Sequence, residues 1–316
     1  MGHEGAGVVL EVGVGVTSVS PGDHVVLSWQ PACGRCPRCA RGRPQRCELV
    51  ATVVAPLGVL YDGTSRLRLR GQPIFHYSGV SSFAEEAVVP ESGTIRVAPE
   101  VPLTSAALIG CCVTTGVGAV LWTARVEPGA TVVVIGCGAV GLSAVQGARL
   151  AAASQIIAVD PLADKLTLAQ EFGATKTLLA SSSDAVQETR GLTGGGADYV
   201  FDCIGLPETA SDAIKMLGVG GSAVLVGLPA VEDTAEFKPY RLTESEQRVI
   251  GSYYGSSRPS VHFPLLADLY LQGRLRIDPL VTSSRPLAQA QAALDDLLAG
   301  RGIKTVLEPA GNPIQT

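Results

Sequence analysis

The stretch Thr131–Asp160, TVVVIGCGAVGLSAVQGARLAAASQIIAVD, decides the fold of this chain. A β-branched strand leads through a glycine turn into a helix of small residues, and a second apolar strand closes the stretch. Gly136 permits a sharp bend, and Gly138 lets a pyrophosphate approach the backbone. Gly141 lets the helix pack closely on the strand. Asp160 follows after about 20 residues, where an acid accepts hydrogen bonds from the ribose of NAD. The stretch therefore predicts a dinucleotide site, the alternative being a tight turn without a ligand.

Between residues 131 and 251, apolar strand patterns alternate with helical patterns. This alternation predicts an α/β fold with a doubly wound parallel sheet, the Rossmann architecture. Dinucleotides lie outside the carboxyl ends of such strands, and glycines mark those ends at Gly205 and Gly227. Beside them, Ile204 and Val226 are predicted to contact the cofactor. The predicted strands are Thr131–Ile135, Gln155–Val159, Lys176–Leu179, Asp198–Phe201, Ser222–Val226 and Arg248–Gly251, and the predicted helices are Ala139–Leu150, Ala163–Phe172, Ser183–Leu192 and Glu208–Met216.

The flanking parts of the chain have a different pattern. Glycine-punctuated segments at Gly5–Gly13 and His24–Trp29, with a further segment at Phe83–Val89, predict a small β-rich domain. Near the carboxyl end, helical patterns occupy Val261–Gln272 and Leu287–Leu298. The chain therefore has a central α/β part between two stretches of another kind.

Four cysteines cluster in one short segment, at Cys33, Cys36, Cys39 and Cys47. Four thiolates at this spacing can enclose a tetrahedral zinc ion with no open position, which is the structural type of zinc site. Four unrelated reduced thiols or an iron–sulfur cluster are the alternatives. The arginines around the cluster offset the charge of a four-thiolate centre, or else contact nucleic acid as in a zinc ribbon: Arg35, Arg38, Arg41, Arg43 and Arg46.

The composition is that of a well-buried globular enzyme. The chain has 316 residues, 46% of them hydrophobic and 17% charged, which is enough for two domains. The net charge of −5 argues against a dedicated nucleic-acid binder. The sequence shows no signal-peptide pattern and no membrane span, so eight cysteines predict thiolates and metal ligands rather than disulfides. We expect a cytoplasmic protein.

Three motifs together resemble those of one enzyme family. They are GHEGAGVV at Gly2–Val9, the four-cysteine cluster, and GCCVTTGVGAV at Gly110–Val120, which precedes the glycine turn. The chain resembles, over nearly its whole length, the zinc-containing alcohol dehydrogenases of the medium-chain dehydrogenase/reductase superfamily. It is most similar to the branch of class III (glutathione-type formaldehyde) and related bacterial alcohol dehydrogenases. The resemblance implies zinc-dependent, NAD-linked oxidation of alcohols to aldehydes or ketones, or the reverse reduction, by hydride transfer.

The resemblance also implies a domain organisation and partners. A GroES-like catalytic domain of residues 1–112 and 256–316 would flank a Rossmann coenzyme domain of residues 113–255. The partner would be a small alcohol or aldehyde, without nucleic acid or membrane, and the assembly a homodimer or homotetramer.

The family's functional residues match this sequence one at a time. His3 matches a histidine ligand of the catalytic zinc, Glu4 the acid beside it, and Cys111 a thiolate ligand of the same zinc. Cys112 occupies the place of a usual glycine, so it is either a bystander or an alternative ligand, and Cys111 is the preferred one. The resemblance implies cofactor contacts at Thr115 near the nicotinamide, Val140 at the turn, Asp160 and Lys165 at the adenosine ribose, and Lys304 near the pyrophosphate.

The sequence departs from the family at its start. In the family the GHE motif lies several dozen residues in, and the preceding stretch supplies a further cysteine ligand and a proton-relay hydroxyl. This sequence begins Met1-Gly2-His3, so we expect both groups and several N-terminal strands to be missing. A catalytic zinc takes three protein ligands and one open position, which leaves Glu4 as the candidate third ligand. The alternative function is a catalytically inactive, N-truncated fragment that binds NAD and one structural zinc.

Overall fold

A computed structural model describes residues 1–182 and 184–309 of the chain. The chain divides into two compact units, Met1–Thr114 with Ser257–Thr316 and Thr115–Ser256. The predicted domain boundaries fall near residues 112 and 256, and the roles of the two parts as catalytic and coenzyme domains stay a prediction. The last part of the predicted catalytic domain, residues 310–316, lies outside the described residues.

The strands are numbered here in chain order. They are β1 (Gly5–Val8), β2 (His24–Leu27), β3 (Arg68–Leu69), β4 (Gln72–Pro73), β5 (Thr94–Arg96), β6 (Thr131–Ile135), β7 (Gln155–Asp160), β8 (Lys176–Leu179), β9 (Ala197–Asp202), β10 (Leu217–Leu225), β11 (Arg248–Gly251), β12 (Val281–Pro286) and β13 (Lys304–Glu308).

The helices are numbered in the same way. They are α1 (Pro37–Ala40), α2 (Ala55–Leu57), α3 (Leu103–Leu108), α4 (Thr114–Gly118), α5 (Ala139–Leu150), α6 (Ala163–Phe172), α7 (Ala185–Leu192), α8 (Pro207–Lys215), α9 (Pro239–Glu244), α10 (Pro259–Leu271) and α11 (Ala290–Leu298). Wider π-type turns occupy Val50–Val54, Ile109–Val113 and Ala119–Ala124, and short 3₁₀ turns occupy Pro44–Arg46, Glu91–Gly93, Tyr254–Ser256, Asp278–Leu280 and Leu287–Gln289.

The first unit, which contains residues 1–114, is built on small sheets. Strands β1, β2 and β5 form an antiparallel sheet in that order, β3 pairs with β4, and β12 pairs in parallel with β13. Val25 and Val26 of β2 are buried because this strand lies in the middle of its sheet. The prediction of a strand at Phe83–Val89 is wrong. Those residues are half-buried or exposed, with Val88 62% exposed, so no buried face fixes an extended segment there.

The second unit is the doubly wound sheet that the sequence predicts. Its six strands lie in the order β11-β10-β9-β6-β7-β8, and all pair in parallel. The strand order reverses between β6 and β9, which is the position where ligands bind in such sheets. Val132, Val133 and Val134 of β6 are fully buried, as expected for a central strand covered on both faces. Helix α7 begins at Ala185 with Asp184 as its cap, and Ser183, where the sequence predicted its start, lies outside the described residues.

One helical run, Leu103–Ala124, is long and apolar enough to cross a membrane by length and composition. In its most apolar window 78% of the residues are buried inside the protein, which is the pattern of a core helix. The run is therefore weak support for a membrane span.

Candidate dinucleotide site and zinc centres

The glycine turn between β6 and α5 has the geometry of a dinucleotide site. Gly136 has a φ of +92°, a left-handed conformation that glycine adopts without strain. A Cβ on Gly141 would lie 1.7 Å from the carbonyl oxygen of Gly136, so helix and turn meet without room for a side chain. A Cβ on Gly138 would meet nothing within 4 Å. The free space at Gly138, beside the amino end of α5, fits a pyrophosphate.

Asp160 ends β7 and holds the turn in place. Its side chain is 5% exposed, and its Oδ2 accepts a hydrogen bond from the Cys137 N–H at 2.8 Å. Its Oδ1 accepts from the Leu162 N–H at 2.9 Å. Each carboxylate oxygen retains a second lone pair, so the residue can also accept from ribose hydroxyls. Asp160 thus has a structural role that the sequence pattern did not predict.

Cys137 feels the charges of both residues that the resemblance assigns to the ribose, Asp160 and Lys165. Burial raises the pKa of the Cys137 thiol to about 12, the Asp160 charge adds to the rise, and the Lys165 charge opposes it. Both charges therefore act at the glycine turn, Asp160 from the end of β7 and Lys165 from the first turn of α6. Asp160, Lys165 and the turn are brought together, as the resemblance implies.

Of the other predicted cofactor residues of this unit, Ile204 and Val226 follow strands β9 and β10, whereas Val140 and Thr115 lie in helices. Ile204 is 39% exposed, and its Cγ1 would lie 2.6 Å from a Cβ on Gly136, so it packs on the turn. Val226 follows β10 and is buried, 7% exposed. Val140 is half-buried in α5, and its carbonyl oxygen would lie 2.2 Å from a Cβ on Gly116, which brings α4 close to α5. Thr115 is half-buried in α4.

Asp202 is a residue of this edge that the sequence analysis missed. It ends β9, is 1% exposed, and its Oδ1 accepts from the Ile204 N–H at 3.0 Å and the Gly205 N–H at 3.3 Å. These bonds fix the loop that presents Ile204 to the glycine turn. The available signal was an acid at the end of an apolar strand, the same pattern that identified Asp160.

The four clustered cysteines converge as a metal site. The Sγ atoms of Cys33, Cys36, Cys39 and Cys47 all lie within 4.8 Å of one another, and none is in a disulfide. Cys36 stands at the cap of α1, and the 3₁₀ turn Pro44–Arg46 ends at Cys47. Four thiol donors at this distance fit a closed, tetrahedral zinc site.

Backbone amides donate hydrogen bonds to sulfur atoms of this cluster. The Cys33 N–H donates to the Cys47 Sγ at 3.3 Å, and the Cys36 N–H donates to the Cys33 Sγ at 3.4 Å. Hydrogen bonds from the Cys39 N–H, and next from the Glu48 N–H, lower the pKa of the Cys36 thiol to about 6. The thiolate is the form that binds a metal, so these amides favour the ligand state of Cys36. Burial acts the other way at Cys39 and Cys47 and raises the pKa of each thiol.

A second cluster unites residues from the start and the middle of the chain. The ligand atoms of His3, Glu4 and Cys111 lie within 4.8 Å of one another. His3 and Glu4 directly precede β1, and Cys111 lies in the π-type turn Ile109–Val113 after α3. One imidazole, one thiol and one carboxylate fit the donor set of a catalytic zinc with an open position.

The segment that carries His3 is tied to the body of its unit. The carbonyl oxygen of Gly2 accepts from the Ser82 N–H at 3.0 Å, and the carbonyl oxygen of Glu4 accepts from the Ser82 Oγ at 2.8 Å. The Phe83 N–H donates to the carbonyl oxygen of Met1 at 3.0 Å. These bonds on either side of His3 fix the position of its backbone.

Glu4 already has two partners. Its Oε1 accepts from the Cys112 N–H at 2.9 Å, and its Oε2 pairs with the Lys304 Nζ. Burial raises the pKa of Glu4, but the charge and hydrogen bond of Lys304, together with the His3 charge and the hydrogen bond from the Cys112 N–H, hold the pKa below its ordinary value. Burial alone would lower the pKa of Lys304, but Glu4 raises it above its ordinary value. The resemblance implies that Lys304 contacts the pyrophosphate, whereas its ammonium group here pairs with Glu4.

Two aromatic rings flank His3. The Trp29 ring lies edge-on with a centroid distance of 6.2 Å, and the Tyr77 ring is tilted at 6.0 Å. Burial lowers the pKa of His3, the Glu4 charge opposes this, and the Lys304 charge adds to it. The imidazole is therefore favoured in its neutral form, which is the form that binds a metal. The sequence analysis assigned neither aromatic residue to the site.

Comparisons with known proteins identify the family. Residues 1–99 match the profile described as alcohol dehydrogenase GroES-like domain, and residues 139–271 match the profile described as zinc-binding dehydrogenase. The S-(hydroxymethyl)glutathione dehydrogenase of Paracoccus denitrificans is 39% identical over 316 residues, covering 97% of this chain and 84% of that protein. The chain belongs to the zinc-containing alcohol dehydrogenases.

Other relatives of this alcohol dehydrogenase agree. The class-3 alcohol dehydrogenase of Myxine glutinosa is 39% identical, covering 98% of this chain and 82% of that protein. The alcohol dehydrogenase zinc-binding domain protein of Burkholderia ambifaria matches with a TM-score of 0.93 and 40% identity, covering 98% of this chain and 83% of that one. The benzyl alcohol dehydrogenase of Acinetobacter calcoaceticus matches with a TM-score of 0.92 and 33% identity, covering 98% and 84%.

The family membership confirms the predicted fold class, a Rossmann domain with a GroES-like domain, and the predicted cofactors, zinc and NAD. The reaction of this alcohol dehydrogenase is the NAD-linked oxidation of an alcohol or its reverse. The comparisons give the inactive-fragment alternative no support.

Proposed function

We propose that this chain oxidises primary alcohols at a zinc centre on His3 and Cys111, with NAD on the Gly136–Gly141 turn. The observation that carries the proposal is the convergence of the His3, Glu4 and Cys111 ligand atoms within 4.8 Å. The alcohol loses a hydride from its carbinol carbon and a proton from its oxygen, giving an aldehyde, NADH and a proton. S-(hydroxymethyl)glutathione and benzyl alcohol, named for two relatives, both carry the CH₂OH group that this reaction requires.

Each residue of the centre has a distinct task in this proposal. When bound, zinc supplies a Lewis acid for the alcohol oxygen and NAD supplies the hydride acceptor. His3 donates a neutral imidazole nitrogen and Cys111 a thiolate. Glu4 is the candidate third ligand, since each of its oxygens retains a lone pair. Its bonds to Lys304 and to the Cys112 N–H also hold the backbone that presents the Cys111 thiol.

The two units divide the work. We assign catalysis to residues 1–112 with 256–316 and coenzyme binding to residues 113–255. The cluster of Cys33, Cys36, Cys39 and Cys47 holds a structural zinc in the first of these. In the coenzyme-binding part, the Asp160 carboxylate accepts hydrogen bonds from the ribose hydroxyls of NAD and repels the 2′-phosphate of NADP.

The wider setting of the enzyme is also part of the proposal. We assign a cytoplasmic location, because the described cysteines are free thiols and a reducing compartment keeps zinc-binding thiols reduced. The partner is a small alcohol or aldehyde, without nucleic acid or membrane, and the enzyme is a homodimer or homotetramer by analogy with its family.

Zinc per purified chain, measured by elemental analysis, tests the centre. We expect two zinc ions per chain in the unaltered enzyme, which should also reduce NAD in the presence of an alcohol. The Cys36→Ala variant and the His3→Ala variant should each hold one zinc ion. The inactive alternative predicts a different result. The unaltered chain would then hold one zinc ion, His3→Ala would still hold that ion, and neither protein would reduce NAD with an alcohol.

A further inference from the structure

The first unit contains a cleft that neither the zinc clusters nor the glycine turn uses. Its volume is about 400 Å³, which is enough for a small organic molecule. Three segments line it, namely the turn that leads into β2, the end of β5 and one face of α10. The lining includes Asp23, His24, Arg96, Pro99, Pro264 and Asp268. None of these residues belongs to the clusters around His3 and Cys33.

Two opposite charges in this cleft are unpaired. Arg96 ends β5 and Asp268 lies in α10, so the guanidinium and the carboxylate come from different walls. Neither has an ion-pair partner among residues 1–182 and 184–309, and their charged atoms therefore lie more than 4.0 Å apart. A ligand that carries both an anion and a cation can make a charge-assisted hydrogen bond to each wall.

The turn before β2 adds two polar groups to the lining. The Asp23 Oδ2 accepts from the Ser20 N–H at 2.8 Å, which leaves Oδ1 for a ligand. The His24 Nδ1 is buried and has no hydrogen-bond partner in the described part of the chain. Because buried polar atoms are normally paired, this nitrogen also favours a polar ligand. With Asp23 beside Asp268, a ligand cation finds two carboxylates and a ligand anion finds Arg96.

The walls of the cleft are fixed by the fold. The Val97 N–H donates to the carbonyl oxygen of His24 at 2.9 Å, which joins the segment after β5 to the start of β2. The Val9 N–H donates to the carbonyl oxygen of Asp23 at 2.9 Å and holds the turn. Helix α10 is anchored by Phe263, which is 0% exposed. A preformed cleft needs little ordering when it binds a ligand.

The rest of the lining favours an organic ligand over a metal ion. Pro264 and Asp268 are four residues apart and so lie on the same face of α10. A ligand held by Asp268 would therefore place its apolar part beside the Pro264 ring. In the described part of the chain, the groups whose metal-binding atoms converge within 4.8 Å are the four-cysteine cluster and the His3 cluster, so the carboxylates and imidazole of the cleft form no such group.

We propose that this cleft binds a free α-amino acid with an apolar side chain. Arg96 pairs with the α-carboxylate, Asp268 and Asp23 pair with the α-ammonium group, and Pro99 and Pro264 contact the side chain. An α-amino acid fits because one small molecule carries both charges on the same carbon atom. Binding requires neither zinc nor NAD, so it is separate from the proposed alcohol oxidation.

Calorimetric titration of the zinc-loaded enzyme with L-leucine tests this site. We expect saturable binding of one L-leucine per chain. Two comparison compounds each lack one charge, 4-methylpentanoate the ammonium group and 3-methylbutylamine the carboxylate. Each should bind at least about tenfold more weakly, since it loses a charge-assisted hydrogen bond. No saturable binding of L-leucine, or equal binding of either comparison compound, would overturn the proposal.

Variants at the two walls locate the binding. Arg96→Gln and Asp268→Asn should each lower the affinity for L-leucine at least about tenfold and leave Tm unchanged, because neither side chain has a described ion-pair partner. Glu100→Gln is the matched control. Glu100 is exposed and lies one residue after Pro99, but it does not line the cleft.

The control should bind L-leucine as the unaltered enzyme does. Equal losses of affinity in Glu100→Gln and Asp268→Asn would mean that general surface charge is responsible, and would overturn the site. Alcohol-dependent NAD reduction should be the same in all three variants. Its absence from the unaltered enzyme, with L-leucine binding intact, would count against the proposed function and leave the amino acid site standing.

Discussion

Gly141→Ala tests how tightly helix α5 packs on the glycine turn. The added methyl would lie 1.7 Å from the Gly136 carbonyl oxygen and 2.9 Å from its carbon. Non-bonded atoms pack at roughly 3.5 Å, so helix and turn must separate by about 2 Å. Both are buried, with Leu142 and Ala144 fully buried in the helix, and overpacking of this kind costs about 3 kcal/mol. For a unit of this size the loss corresponds to about 10 °C in Tm.

The assay can report on the second unit alone. With Trp29→Phe as background, Trp122 is the only tryptophan and lies within Thr115–Ser256, so its fluorescence follows unfolding of that unit. Calorimetric titration measures NAD affinity, which should fall at least tenfold because the amino end of α5 moves. A tenfold loss is about 1.4 kcal/mol.

Gly138→Ala is the control for this prediction. Gly138 has a φ of −74° and open space around its Cβ position, so alanine should fit with a change in unfolding free energy below about 0.5 kcal/mol. The methyl would, however, occupy the space that the pyrophosphate needs, so NAD affinity should fall. An unaltered Tm in Gly141→Ala, or native NAD affinity in Gly138→Ala, would refute the reasoning.

Three further predictions follow from the described contacts. Cys111→Ser should abolish alcohol-dependent NAD reduction and leave the NAD Kd within about twofold, because the thiol belongs to the other unit; retained turnover would contradict its role. Asp160→Asn removes the negative charge and one of the two acceptors for the Cys137 and Leu162 N–H groups, so titration should show weaker NAD binding and a smaller preference for NAD over NADP. Burial, with the Arg258 charge adding to it, lowers the pKa of His262 to about 4. The unfolded chain therefore takes up the proton first, and stability should fall as pH drops from about 6.5 to about 4; His262→Gln should flatten that part of the denaturation profile.

The second unit, Thr115–Ser256, could be predicted from the sequence because its signals are local. Helices α5 and α6 and strands β6 and β8 have the predicted bounds, since each is an uninterrupted apolar or periodic segment closed by glycine or polar residues. The strand prediction at Phe83–Val89 was wrong because aromatic and β-branched residues such as Phe83 and Val88 are typical of strands, and the sequence does not show that no core covers them.

In the first unit, contacts between residues that are distant in sequence could not be predicted. Cysteine spacing predicted the cluster of Cys33, Cys36, Cys39 and Cys47, because its ligands are close in sequence. The aromatic neighbours of His3 were missed because Trp29 and Tyr77 come from separate loops that only the folded backbone unites. The partner of Lys304 was missed for the same reason, since Glu4 lies 300 residues away in sequence.

That distance also explains why the His3 centre depends on the far end of the chain. Glu4 is largely buried and would carry an uncompensated charge without the Lys304 ammonium, which β13 supplies. Ser105 of α3 likewise donates to Asp278, which lies beyond the second unit in sequence. The two segments of the first unit, which the inserted Thr115–Ser256 separates in sequence, are thus joined by an ion pair and a hydrogen bond. Because Glu4 in turn holds the Cys112 amide, the placement of the Cys111 thiol requires β13 to be folded against the start of the chain.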